Sequence, residues 1–336
     1  MMLEEIRLRR LAGQHLCAPS DTQTVVKDLC GVQAQFLSHA LHGLSIRCGK
    51  VDTDNLVKSW TLRGTMHLFS ADDLPLFLHE GRSHFLRPVD TLDGDAYITK
   101  DRKAYFAEVI VAAIGEGIGE REALKRVCQQ AGMTEAEGKS LFDPWGGTIR
   151  ALCEQGRIYH RVQETKAFQL CPPFTPMPEQ AARIELARRY FTNFGPATVR
   201  DAAYFFGKPQ SQVKQWLNSL PVSETEVDGT ACFFIENGRE PIGSLPECLF
   251  LAGFDQLLLG YEKTESPFLP PEAIRPIFAP GGIVRPAVLL HGQAVGWWSR
   301  KNRKLTVTLF ASADQAVISD AALKQWRDLK QIIFVS

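Results

Sequence analysis

No stretch of this chain approaches the ~20 apolar residues needed to span a bilayer. Runs such as Cys232 to Ile235 and Val288 to Leu290 are short. The first ten residues carry Glu4, Glu5, Arg7, Arg9 and Arg10 and lack the apolar segment of a secretory signal, so a cytoplasmic protein with no membrane partner is expected. There is no excess of either charge: 38 Lys+Arg balance 38 Asp+Glu. That argues against an indiscriminate, histone-like binder of nucleic acid, but permits cations gathered on one face. The eight cysteines include no C-x-x-C pair, and the closest two, Cys17 and Cys30, lie 13 apart. A zinc ribbon or thioredoxin-type motif is thereby disfavoured. Most sit beside apolar residues, as in Leu29-Cys30 and Leu152-Cys153, and read as small buried hydrophobes in a reducing compartment.

Other absences narrow the chemistry. His79-Glu80 is followed by His84, one residue too far for H-E-x-x-H, and histidines five apart do not share a helix face. Gly115, Gly117 and Gly119 follow a predicted helix instead of a strand and lack the third glycine spacing of a nucleotide loop. No G-x-S-x-G, Walker lysine, haem or iron–sulfur pattern occurs. Neither a metal nor a cofactor is expected.

What is present is an ordinary globular composition, 45% apolar and 23% charged over 336 residues, enough for two or three packed units. Leu3 to Leu16 has near-helical spacing, Asp21 is a good N-cap for a helix running toward Cys30, and Leu37 to Ile46 predicts a third helix. Asp52 to Trp60 predicts a fourth, followed by a strand at Thr65 to Phe69. Helices at Lys103–Gly115, Glu120–Ala131 and Pro144–Gln155 then precede two strand-like runs, Ile158–Val162 and Ala167–Leu170. After a proline-rich linker the order recurs: Glu179–Phe194, Thr198–Phe206, Gln210–Leu220, then a hairpin turning at Asp228-Gly229. Helices followed by a hairpin form the pattern of a winged helix. From about Pro241, short apolar strands predict a small β-barrel: Cys248–Phe250, Gln256–Leu259, Pro286–Leu290, Ala294–Trp298, Leu305–Phe310 and Ile332–Val335, interrupted by a helix at Asp320–Leu329. The expected class is therefore α+β: three tandem winged-helix units at 1–98, 99–173 and 174–240, then a C-terminal β-barrel at 241–336.

The most unusual string is Gly31-Val32-Gln33-Ala34-Gln35. On a helix the two glutamines would sit about 200° apart; in an extended turn they would point the same way. Two solvated glutamines at a helix end would be the unremarkable alternative. A second string, Leu62-Arg63-Gly64-Thr65-Met66-His67-Leu68, reads by itself as a turn glycine leading into an edge strand with His67 half buried.

Taken together, Q-x-Q and the later R-G-T-x-H-L resemble the AlkZ/YcaQ family of winged-helix DNA glycosylases. The resemblance extends to Arg9-Arg10-Leu11, Phe254-Asp255-Gln256-Leu257-Leu258-Leu259-Gly260-Tyr261, Arg285-Pro286-Ala287-Val288-Leu289-Leu290-His291-Gly292 and Val295-Gly296-Trp297-Trp298, nearly the whole chain. It implies monofunctional removal of alkylated bases, including unhooking of interstrand crosslinks. It also implies that Gln33 and Gln35 are the catalytic pair, in the manner of the AlkZ branch. Phe36 and Glu262-Lys263 depart from the family pattern.

An amide cannot serve as a general base at neutral pH, but an N7-alkylated purine is already cationic and leaves without an acid. Placing water and facing an oxocarbenium-like sugar are positioning and dipole tasks that a fixed carbonyl can perform. The partner the resemblance implies is double-stranded DNA carrying alkylated bases, and a monomer that associates with the nucleoid is expected. The candidate DNA contacts are Arg63, His67 and the cluster Arg300, Lys301, Arg303 and Lys304 after Trp297-Trp298. That cluster reads equally as a solvated turn that keeps a strand edge from pairing. Arg188-Arg189 is weaker, because Arg183 and Glu185 suggest an ordinary charged face, and Trp145 and Tyr204 read as core. The competing functions are a winged-helix regulator reading DNA through Gln210, Gln212, Lys214 and Gln215, and an interaction scaffold that no longer meets DNA.

Overall fold

The structure is a computed structural model that describes residues 2–82, 91–92, 96–143, 147–238 and 244–335. It divides into two compact units, one formed by Met1–Thr53 with Arg183–Ser336 and the other by Asp54–Ala182.

In the discontinuous unit, the Leu3–Gly13 helix packs so closely on the Glu179–Asn193 helix that a Cβ on Gly13 would stand 2.3 Å from the Asn193 carbonyl oxygen. Only glycine fits there. Asp21 caps the Thr22–Asp28 helix by accepting from the Thr24 amide at 2.9 Å, as its position predicts. The Leu37–Ser45 helix follows the glutamine string. Further along, Val199–Phe206, Gln210–Leu217 and the hairpin Ser223–Val227/Thr230–Phe234 succeed Glu179–Asn193, giving three helices and a hairpin in the expected order. The hairpin turns through Asp228 and Gly229, both at positive φ, as an Asp-Gly turn requires. The core here is aromatic: Tyr190 stacks on Phe194 with ring centroids 4.9 Å apart, and Phe205 packs on both.

The C-terminal strands do not close into a barrel. Five strands lie in the order Cys248–Phe250, Ala287–Leu290, Gln293–Lys301, Lys304–Leu309 and Gln331–Val335. The first four pair antiparallel; the last joins in parallel. A parallel return needs a crossover, here the Gln315–Gln325 helix. Its Ile318 and Ala322 pack with Leu305, Val307 and Trp298, so the sheet buries its face against a helix instead of curling onto itself. The expected Gln256–Leu259 strand is a single helical turn capped by Asp255. A four-residue apolar run does not distinguish a buried strand from a buried turn of helix.

In the continuous unit, the expected helix at Asp52–Trp60 is a strand, Leu56–Trp60, paired antiparallel with Met66–Ser70. Asn55, at φ 58°, stops a helix before it starts. Four strands of this unit pair in the order Met66–Ser70, Leu56–Trp60, Ile158–His160 and Phe168–Leu170. Among the described residues from Lys100 onward, four helices precede the last hairpin where three were expected: Lys100–Gly115, Arg121–Gln130, Glu135–Leu141 and Thr148–Glu154. Sequence reading missed Glu135–Leu141, which is announced by the capping box of Thr134 and Glu137. Among the described residues, no helix is long and apolar enough to cross a membrane.

Candidate active site

The chain leaves the Thr22–Asp28 helix through two left-handed residues, Cys30 at φ 53° and Gly31 at φ 81°. The Gly31 amide donates back to the Val26 carbonyl at 2.8 Å, closing the helix end. The backbone then extends through Val32–Gln33. Period-two alternation sends Gln33 and Gln35 to one side, and their side chains meet: Gln33 Nε2 donates to Gln35 Oε1 at 3.0 Å. Gln33 is only 6% exposed, whereas Gln35 faces solvent. Val32 and Ala34, both buried, root the segment in the core.

Two clamps hold this loop. Gln256, itself buried, donates its Nε2–H to the Gly31 carbonyl. Beside it, Asp255 takes a two-pronged bond from Arg47, at 2.9 and 2.6 Å, with both side chains sealed from water. Arg47 also donates to the Gly43 carbonyl at 2.8 Å and the Gln14 carbonyl at 3.0 Å. Four of the five N–H donors of the guanidinium are thus used, and pairing of this kind is the condition under which a buried charge is tolerated. Gln14 in turn donates to the Tyr261 hydroxyl at 3.0 Å, and Arg10 lies 4.0 Å above the Tyr261 ring. Asp255 and Gln256 belong to a recognised string, but nothing in the sequence marked Arg47 as their partner.

The helix after the glutamines borders an open groove of about 900 Å³. Ser38, His39 and His42 form one wall; Arg285, Trp297, Arg300, Arg303 and Trp326 contribute to the rest. Arg285 lies over the Trp297 ring at 4.9 Å, and His42 stacks on Trp326 at 5.6 Å while bonding the Phe250 carbonyl at 2.7 Å. Burial holds His39 and His42 below the usual histidine range, so both rings are neutral at physiological pH. Sequence reading passed over both histidines and Trp326.

The cationic tip turns at Asn302, φ 55°, between paired Lys301 and Lys304. Arg300, Lys301, Arg303 and Lys304 are all exposed. Arg300 is held by both carboxylate oxygens of Asp328, at 2.7 and 2.6 Å. Arg188 and Arg189 both bind Glu185, at 2.7 and 2.8 Å, an ordinary charged helix face. Tyr204 is half-buried, and Trp145 lies outside the described residues.

Arg63 and His67 belong to the continuous unit. Arg63, half-buried, turns the chain at φ 55° between the paired strands. His67 is wholly buried, with Nδ1 2.8 Å from Thr61 Oγ1 and Nε2 without a hydrogen-bond partner among the described residues. Burial and the nearby Arg63 push its pKa down to about 3. A neutral, sealed ring offers no charge to a phosphate. Among the described residues, no group of three or more His, Cys, Asp or Glu is placed to hold a metal.

Paired amides, exposed cations and indoles that carry an arginine and a histidine on their faces, all on one compact unit, suit a protein that works on nucleic acid. The family can then be stated. A profile described as DNA glycosylase AlkZ-like matches residues 26–331, and the chain belongs to that family. An interstrand DNA cross-link repair glycosylase of Streptomyces sahachiroi is 24% identical over 320 residues, covering 87% of this chain and 85% of the relative. The solved structure of Streptomyces sahachiroi DNA glycosylase AlkZ matches over 100% of both chains with a TM-score of 0.78 at 22% identity, a likeness of fold. This protein is a DNA glycosylase, a hydrolase of N-glycosyl bonds, and not a non-catalytic regulator.

Proposed function

We propose that this glycosylase hydrolyses the N-glycosidic bond of cationic N7-alkylated purines in duplex DNA, and that it unhooks crosslinks made through such purines. The observation that carries the reading is the amide–amide hydrogen bond of Gln33 and Gln35. Neither side chain can remove or supply a proton at neutral pH. The departing base must therefore need no acid, which a cationic purine satisfies: the electrons of the C1′–N9 bond neutralise its charge as it leaves.

Gln33 is the positioning residue. Its N–H fixes the Gln35 carbonyl, leaving that oxygen one lone pair for the attacking water and the electron density to face the developing sugar cation. The water oxygen bonds to C1′, and its proton passes to solvent. An exposed Gln35 suits a base that cannot be drawn fully out of the duplex because its other end is tied across the helix. The relative's name, an interstrand cross-link repair glycosylase, agrees with this reading.

DNA is held by the hairpin cations Lys301, Arg303 and Lys304, with Arg300 released from Asp328 on binding, and by Arg63. The three-helix-and-hairpin segments act as winged helices. His67 orders the Arg63 turn through Thr61. The protein works as a monomer on cytoplasmic, nucleoid DNA.

The test uses duplexes carrying N7-methylguanine, an N7-to-N7 crosslink, or an uncharged lesion. Release of the cationic base and unhooking, with the neutral lesion untouched, is the expected result. Equal excision of the neutral lesion would overturn the mechanism.

A further inference from the structure

Immediately after Gln35 the chain places a bare aromatic ring on the surface. Phe36 is 50% exposed, although a phenylalanine is ordinarily covered. It also stands at the N-cap of the Leu37–Ser45 helix and makes no side-chain cap bond there. Serine, threonine, aspartate or asparagine would stabilise that position, so the local sequence forgoes a cap in favour of a ring.

The ring is not loose. One face stacks on Phe254, with centroids 5.6 Å apart and planes 23° from parallel. His39 meets Phe36 edge-on at 6.1 Å. Phe254 is buried and sits at φ 59°, a conformation that bulky side chains avoid, and its amide is tied to the Val284 carbonyl at 3.2 Å. The preceding Gly253 leaves little space for a side chain, since a Cβ would stand 3.0 Å from the Val284 carbonyl oxygen and 3.1 Å from the His39 ring. A strained backbone thus holds Phe254 flat beneath Phe36, and the half-exposed Phe36 ring remains available at the position that follows the exposed Gln35.

Resting on the reading that Gln35 faces the scissile bond, we propose that Phe36 is a substrate-stacking residue whose exposed face receives the cationic purine and selects it over neutral bases. The negative face of the ring quadrupole attracts a delocalised cation, and a ring already stacked on its inner side is fixed in orientation. Every base has a π-face, so stacking alone would be indiscriminate; the charge supplies the preference. Selection then has two sources, an activated bond and a face that favours positive charge. The ring acts on the lesion only, so undamaged duplex should not sense it.

The test compares wild type with Phe36→Leu, Phe36→Trp and Gln35→Ala in single-turnover excision of N7-methylguanine, with undamaged-duplex affinity and thermal melting alongside. Phe36→Leu keeps the apolar bulk and removes the quadrupole. It should slow excision about fivefold to tenfold, with unchanged melting and unchanged affinity for undamaged duplex, while Phe36→Trp keeps or raises the rate. Wild-type excision by Phe36→Leu, alongside a Gln35→Ala variant that fails, would overturn the stacking role alone. Wild-type rates in both would overturn the glutamine reading as well. Equal loss of undamaged-duplex binding by Phe36→Leu would make the ring a general DNA contact and also refute the proposal.

Discussion

The loop that presents the glutamines and the hairpin that presents the cations share a compact unit, and they are built on opposite principles. The loop is held by buried polar groups that bond backbone carbonyls and a carboxylate: Gln256 on Gly31, Arg47 on Asp255, Gln14 and Gly43. The hairpin tip offers exposed charges on long side chains, of which Arg300 is tied to a carboxylate. Chemistry on C1′ demands a fixed amide, whereas a DNA backbone can be followed by flexible ammonium and guanidinium groups. Damage to the first region should therefore appear as lost folding or lost rate, and damage to the second as changed affinity and salt dependence.

The largest expected effect is at the clamp. Arg47→Ala leaves Asp255 buried and unpaired, and should cost about 3–5 kcal/mol of unfolding free energy in denaturant titration. A loss under 1 kcal/mol would show that the loop does not depend on this pair.

Buried polar groups of the continuous unit supply a second contrast. His67 and His160 are both pushed down to about 3, chiefly by burial. Their folded pKa values lie below the unfolded value of about 6.5, so unfolding takes up protons. Stability is fully present above pH 6.5 and falls as the pH drops toward 3. With both groups contributing, the slope should approach about 2.7 kcal/mol per pH unit in the middle of that window. Replacing both with glutamine should flatten it; an unchanged slope would place the proton uptake elsewhere.

At the hairpin, a triple Lys301→Ala, Arg303→Ala, Lys304→Ala variant should melt like wild type, bind duplex more weakly, and lose up to about 2.7 from its logarithmic salt slope. An unaltered slope would remove this hairpin from the interface. Arg300→Ala should change the slope least, by under about 0.9, because Asp328 already neutralises that charge in the free protein. A larger change would mean that DNA displaces Asp328 at little cost. The smallest effect belongs to an exposed cap: Thr134→Ala removes a capping box and should cost about 1 kcal/mol without altering excision.

Legibility followed the same division. Features written in local chemistry could be read directly: the Asp21 cap and the Asp228-Gly229 turn; the extended geometry that unites Gln33 and Gln35 stood as one of two alternatives. Features set by distant partners could not. Leu56–Trp60 is a strand because Met66–Ser70 pairs with it, despite its helix-like apolar spacing. The barrel was expected from counting strands, and is an open sheet because the last strand returns in parallel over a helix. Arg47 lies 208 residues from Asp255, and no local pattern announces that bond. His67 illustrates the limit at the site: its motif marked it, but only tertiary packing shows that it is sealed and neutral.

The central claim is that two amides act as one unit on a base that carries its own positive charge. A double-mutant cycle tests it most directly, with single-turnover release of N7-methylguanine measured for wild type, Gln33→Ala, Gln35→Ala and the double variant, each confirmed folded by its melting curve. The account predicts a loss of about a hundredfold or more for Gln35→Ala, a substantial loss for Gln33→Ala, and a double variant scarcely worse than Gln35→Ala alone. Wild-type rates in both single variants, or losses that simply multiply in the double, would contradict it.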